Sequence, residues 1–194
     1  MRIVFRYDGA LDRYANAFAM LAQKSHIPLA RALNHEGAKA KTQVIRALTK
    51  QTGLRRATIV RAVKEGKAAQ GDAARNYVGM KLTYELRSKG GNVRLKFFGA
   101  REARAGVVAK PWGGSRLYAG AFTRGGRWPK RVTLPYGGHA FQRAGASRLP
   151  ISQVRSGLFI PDEMIQGASA AAFDQVMGAG LEARVSHELF RMLP

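Results

Sequence analysis

The sequence contains no cysteine. Disulfides, thiolate metal sites and cysteine nucleophiles are therefore excluded, and the usage fits a reducing compartment. Acids are scarce: 12 Asp and Glu stand against 33 Lys and Arg in 194 residues, a formal net charge of +21. Paired carboxylates for general acid–base work are correspondingly hard to assemble. Long apolar runs are missing, and no stretch approaches the roughly 18–20 residues that span a bilayer. The opening MRIVFRYDGALDRY is interrupted early by charge and has no signal-peptide core. The expectation is a protein that is soluble when made. Internal repeats and low-complexity tracts are absent as well.

Hydrophobic residues make up 46% of the chain, enough for a real core. The length suits one domain, or one domain with arms. The positive surplus repels itself in the monomer and attracts polyanions, whether nucleic acid, an anionic membrane or an acidic protein surface.

The pattern runs from helix to strand and back to helix. Met1 to Tyr7 alternates as a short strand does, and Leu11 to Lys24 carries apolar residues at helical spacing. A helix is expected over Pro28–Thr52, with Leu29, Leu33, Ala40, Val44 and Leu48 on one face and Arg31, Lys39, Arg46 and Lys50 on the other. Gly53 is placed to close it in a left-handed cap. A further helix is expected over Thr58–Glu65, with Thr58 as N-cap and Gly66 as stop. From Tyr77 to Tyr136 the runs KLTYELRS, NVRLKFFG, ARAGVVAKP, RLYAGAFTR and KRVTLPYG read as strands, with HAFQRAG as one more. The intervening Gly90-Gly91-Asn92, Gly113-Gly114 and Gly125-Gly126 favour hairpins and hence antiparallel pairing. Arg148 to Ile160 reads as an extended connector. Asp162 and Glu163 suit the start of a helix. The last helix is expected over Ala168–Leu193, burying Ala172, Val176, Leu181, Val185 and Leu189 and weakened, with scope for a bend, at Gly178 and Gly180. The fold class is α+β: a single domain over 1–194 comprising an N-terminal arm or helix (1–27), a helical part (28–75), antiparallel β (76–147), a connector (148–161) and a helical end (162–194).

Candidate chemistry is thin. His26, His35, His139 and His187 lack the i, i+4 pairing of a zinc-protease helix, so no metal ligands are assigned. No Gly-x-Ser-x-Gly elbow occurs, and Ser115 and Ser156 are explained by glycine-flanked turns. GGSRLYAG, GGRWPK and GGHAF match neither a Walker loop nor G-x-G-x-x-G and read as hairpin turns. The sequence assigns no catalytic residues, no cofactor and no small-molecule substrate.

Two clusters remain. Lys39, Arg46, Lys50, Arg55, Arg56, Arg61 and Lys64 form a basic run without an acid between Glu36 and Glu65. It is either a solvated face or a contact for DNA phosphate or an acidic partner, with no base-reading motif beside it. Trp112, Tyr118, Phe122 and Trp128 lie among Lys110, Arg116, Arg124, Arg127 and Lys130. Aromatics on a sheet face are more often core or subunit interface than base-stacking platforms, so these and Phe159 are assigned to an interface.

The ordered set Trp128-Pro129-Lys130-Arg131, Gly138-His139-Ala140-Phe141-Gln142-Arg143 and Gly157-Leu158-Phe159-Ile160-Pro161-Asp162-Glu163-Met164 matches WPxR, GGHxFxR and GxFIPxEM. With LARALNHEGAKAKTQVIRALTKQTG before it and ARVSHEL after it, the chain from about Leu29 to Leu189 resembles the phage minor tail protein Z family, the tail completion proteins of long-tailed phages and prophages. The segment before Leu29 departs from the family pattern. The resemblance implies a non-enzymatic virion component, made in the host cytoplasm and placed in the tail at the head–tail junction. It implies helices packed on an antiparallel sheet or small barrel, and a homo-oligomeric ring, taken as a hexamer. The neighbours would be the tail terminator or tail tube and the head–tail connector, with DNA in the channel and no membrane. A free, sequence-nonspecific nucleic-acid-binding protein is the alternative. A nuclease or wall hydrolase is a third reading, and it needs clustered acids that the sequence does not display.

Overall fold

A computed structural model of the chain describes residues 2–4, 26–69 and 82–191. The helix expected over Leu11–Lys24 and the onset of β structure at Tyr77 lie outside the described residues. The fold is α+β.

Helix α1 spans His26–Thr52, and all five expected core positions on it are buried. Its stripe is wider than one face, with Ala30, Ala32, Gly37 and Ile45 buried too, because the C-terminal helix packs along it and Tyr84 lies against Gly37. Gly53 ends it with φ +72°, donating its N–H to Thr49 O at 3.1 Å.

The next segment corrects the sequence reading. Helix α2 spans only Arg56–Ala62, and its N-cap is Arg55, not Thr58. Val63–Gly66 leave the helix as strand β2. Strand β3, Glu85–Ser88, pairs with β2 on one side and with β1, Arg2–Val4, on the other, all antiparallel. Pairing decides this change of state: the ladder to β3 satisfies the backbone of 63–66 and buries the β-branched Val63, which local propensity alone does not foresee. Tyr84, just ahead of β3, joins this sheet to α1. Its ring lies so close to Gly37 that a Cβ there would sit 2.4 Å from the ring carbons. Its hydroxyl donates to Glu65 Oε2 at 2.8 Å. Burial, reinforced by that carboxylate, pushes the phenol far above its ordinary value.

The central β region divides into small antiparallel sheets. Strands β4 (Arg101–Ala103), β5 (Gly106–Ala109) and β6 (Arg116–Ala119) form one. Strands β7 (Arg124–Gly125) and β8 (Val132–Thr133) form a second, and β9 (Phe141–Arg143) and β10 (Ile151–Gln153) a third. ARAGVVAKP thus holds the end of β4, a turn and β5. NVRLKFFG is not a strand: Leu95–Phe98 form a 3₁₀ turn. Its i, i+3 spacing sends both Leu95 and Phe98 into the core. The stretch expected as an extended connector contains β10, and Arg155 bridges back to Arg94. Ser156 is structural, donating from Oγ to Val93 O at 2.7 Å and accepting from Leu158 N at 3.1 Å.

Helix α3 spans Ile160–Met164, with Asp162 and Glu163 in its first turn as expected. Helix α4 spans Gly167–Phe190 and continues through Gly178 and Gly180 without interruption. Its buried row is Phe173, Met177, Leu181, Val185 and Leu189. Ala172 and Val176, expected inside, are only half-buried. The row advances by four residues, and the larger Phe and Met take the interior where the first two expected positions were one residue early.

Helices α1 and α4 run antiparallel and make the largest contact in the molecule. Glu36 lies in it at 3% exposure. Lys39 Nζ donates to its carboxylate at 2.8 Å and His35 Nδ1 pairs with it at 2.9 Å. A Cβ at Gly180 would come within 2.5 Å of Glu36 Oε2, so the glycine expected to weaken α4 instead makes room for a carboxylate. Burial alone would raise the Glu36 pKa. The hydrogen bonds and charges of Lys39 and His35 outweigh it and hold the group below its ordinary 4.5.

Two outcomes follow from this packing. Gly37→Ala in an ordinary helix adds about 1 kcal/mol of stability; against the Tyr84 ring it should lose roughly 1–3 kcal/mol instead, measured by the denaturant midpoint at unchanged m-value. A carboxyl whose folded pKa is depressed stabilises above its unfolded value, and that contribution is lost as pH falls through the folded pKa. Stability should therefore drop on acidification below about 4.5, and Lys39→Ala should move the acid-unfolding midpoint upward. An unmoved midpoint in circular dichroism would contradict the coupling.

Candidate functional site

The basic run is built on the end of α1, the Gly53 turn and α2. Lys39, Arg46, Lys50, Arg55, Arg56, Arg61 and Lys64 are all exposed. They do not form one patch. Lys39 is held by Glu36, and Lys64 stands on β2 opposite Arg87. Arg46, Lys50 and Arg56 do converge. They line a groove of about 1260 Å³ between the C-terminal half of α1 and the start of α4, whose floor includes Ala47, Ala168 and Ala172. None of the three forms an ion pair among the described residues, and no Asp or Glu lines the groove. The N-terminus of α4 opens beside them with no acid in its first turn, so its partial positive charge adds to theirs. Arg55 and Arg56 also sit at the positive end of α2, a placement that opposes its dipole.

The walls of the groove are fixed by a polar clasp. Gln51, the penultimate residue of α1, donates from Nε2 to Glu163 Oε2 at 2.6 Å and to Glu163 O at 3.1 Å. Its Oε1 accepts from the Ser169 N–H at 3.4 Å and so caps α4 from outside. Trp112 Nε1 donates to Glu163 Oε1 at 2.8 Å, and Ser169 Oγ donates to Glu163 O at 2.6 Å. Trp112 lies in the 3₁₀ turn Pro111–Gly113 with φ 53°, a left-handed conformation rare for a bulky residue. Gly53 approaches the same turn so closely that a Cβ would meet Gly113 N at 2.8 Å.

The expected interface aromatics separate into different neighbourhoods. Trp112, 44% exposed, has its ring edge beside Gly157, two residues before the exposed Phe159. Phe122 and Trp128 face a different hollow beside β4 and β7. Tyr118 is half-buried on β6 under the Arg116 guanidinium, 5.4 Å from the ring centroid.

One feature of the surface was not visible in the sequence. Glu36, Glu85, Glu163 and Glu188 are buried. Glu102 and Glu65 are mostly covered and paired, Glu102 with Arg131 and Glu65 with Lys41 and Lys67. Asp162, Asp174 and Glu182 are the acids that stay exposed among the described residues. The molecule spends most of these acids internally, so its outer surface is more positive than the composition implies.

Compared with family models, curated proteins and solved structures, the chain matches none. Among the described residues no three of His, Asp and Glu converge as metal binding requires. His139 is the histidine whose pKa is lowered, first by burial and then by the nearby Lys96 and Arg94. No described helix is long and apolar enough to cross a membrane.

Glu163→Ala should strand the Trp112 N–H and the Gln51 amide together. A loss of roughly 2–4 kcal/mol is expected, since each hydrogen bond to a charged group contributes about 1.5–3. Chemical denaturation checks this, and a loss within experimental error would show that the clasp does not hold the groove.

Proposed function

We propose that the chain is a structural, non-catalytic virion protein that completes a phage tail at its head-proximal end, working as a homo-oligomeric ring. The observation that carries the reading is electrostatic. The acids of the described fold lie mostly inside, while Arg46, Lys50 and Arg56, with no ion pair among the described residues, converge on a groove beside the Gln51–Glu163 clasp. A surface of that kind is suited to DNA phosphate or to an acidic neighbour. The ordered sequence motifs between Leu29 and Leu189 support the tail-completion assignment, and exposed apolar residues such as Trp112, Leu117 and Phe159 offer area for subunit contact.

In this reading the protein joins the tail late, contacts the tail terminator or tube and the connector, and supports seating of the DNA end. Its positive charge is neutralised in the assembly rather than in the free subunit. Six copies would multiply a formal charge of +21 per chain, which favours a ring that closes around or against a polyanion. The competing reading, a free nucleic-acid-binding protein, needs salt-sensitive binding by the isolated monomer together with absence of the protein from purified particles.

The test reverses Arg46, Lys50 and Arg56 to Glu together. Lys39 is left alone, because its reversal would place a second carboxylate on buried Glu36. A folded variant is expected, with infectious particle yield down by about tenfold or more, the scale of losing several phosphate or carboxylate contacts. Normal yield and normal DNA retention would sink the assignment of this groove. Absence of the protein from purified particles that remain infectious would sink the tail-completion reading itself.

A further inference from the structure

A second positive hollow lies away from the α1–α4 groove. Strands β4, β5, β7 and β9 and the turns beside them line a hollow of about 550 Å³, a volume in the range of small-ligand sites. Arg104, Arg124, Arg131 and Arg143 line it together with Phe122 and Trp128. These residues are scattered over 40 positions of sequence, and the hairpins bring them to one place.

Glu102, on β4, is the acid of this hollow, and it is fully used. Its Oε2 accepts from Thr123 N at 3.4 Å, Thr123 Oγ1 at 3.0 Å and Arg124 N at 3.0 Å. Its Oε1 accepts from Arg131. That leaves Arg104, Arg124 and Arg143 without an ion pair among the described residues. The Nε–H of Arg131 is buried and has no hydrogen-bond partner among the described residues. The Arg143 guanidinium stands 5.8 Å over the Phe122 ring, and the indole of Trp128 is 51% exposed. Unpaired guanidiniums beside an open indole make a poor resting surface: charge repels charge, and a large apolar ring faces water.

We propose that this hollow binds single-stranded nucleic acid, with a base stacked on Trp128 and the flanking phosphates held by Arg104, Arg124 and Arg143. An acidic protein segment would satisfy the arginines but leave the indole face uncovered. A duplex presents phosphates but keeps its base faces stacked inside, and a hollow of this size takes a splayed nucleotide rather than a double helix. A single strand supplies both chemistries at adjacent positions: a π-face for the indole and phosphates for the guanidiniums. This site does not rest on the tail-completion reading.

The chain has two tryptophans, so Trp112→Phe leaves Trp128 as the sole indole reporter in the full-length protein. Oligothymidylate added at low salt should change the Trp128 emission saturably, and the effect should weaken steeply with salt. Should Trp112→Phe fail to fold, the wild-type emission minus that of Trp128→Phe carries the same signal. Followed by calorimetry, since the reporter is gone, Trp128→Ala should weaken oligothymidylate binding by about tenfold, the scale of one lost stacked base, while leaving inorganic tripolyphosphate binding unchanged. Arg124→Glu with Arg143→Glu should weaken both probes. The emission reports this hollow and not the α1–α4 groove, so reversal of Arg46, Lys50 and Arg56 should leave it in place. The proposal is overturned by an emission that oligothymidylate does not change, by an equal change with polyglutamate or duplex DNA, or by a response that survives the double arginine reversal.

Discussion

Gln51 and Glu163 form the joint on which the rest of the arrangement depends. One amide and one buried carboxylate tie the end of α1 to the start of α4, to α3 and to the Trp112 turn. The joint has to be polar. The end of α1 and the beginning of α4 meet there, and both bring backbone groups with no partner inside their own helix. Apolar packing would leave those groups buried and unmet at about 1–3 kcal/mol each. The Gln51 side chain meets the Ser169 N–H at the start of α4 and the Glu163 carbonyl in α3, and Gly167 leaves the space it needs. The groove lined by Arg46, Lys50 and Arg56 is therefore a by-product of a rigid helix junction, not a loop that must order when something binds.

The same economy governs the acids. A chain with so few carboxylates puts Glu36, Glu85, Glu163 and Glu188 inside, where each is hydrogen-bonded or paired and Glu163 joins separate elements. The fold gains specificity from them, and the surface loses their neutralising effect. Positive charge on the outside is thus a consequence of how the inside is held together. Two hollows on different parts of the molecule show the same outcome: the acid at hand is engaged internally, and the arginines facing outward are left over.

The sequence made α1 legible because everything local agreed there: a helical period over 27 residues, proline in the first turn and glycine at the end. The α+β class was legible for the same reason: Gly113-Gly114 and Gly125-Gly126 stand at turns between antiparallel partners, although Gly90-Gly91-Asn92 leads from β3 into the 3₁₀ turn and closes no hairpin. What could not be read depends on residues far apart in the chain. Val63–Gly66 become a strand because β3 is there to pair with them. Gly180 is required because Glu36, 144 positions earlier, needs its space. Of the seven basic residues singled out, the three that share a groove are selected by where α4 begins, and Lys39 is removed from the set by its bond to Glu36. The aromatics were read as one face because they are neighbours in sequence, whereas the hairpins deliver Trp112 and Trp128 to separate places.

Charge also bears on the proposed assembly. A free subunit with a net +21 and its acids withdrawn carries self-repulsion that burial of apolar area must outweigh. Bringing like subunits together raises that repulsion, so a ring of this chain is stable only if the contacts between subunits are apolar and the basic hollows point elsewhere. The exposed apolar residues Leu117, Val132, Leu149 and Phe190 lie outside the lining of both hollows. Subunit contact and polyanion contact can therefore use different surfaces. Polyanion bound in the hollows would relieve the repulsion that assembly creates, which couples ring closure to the presence of its partner through electrostatics alone.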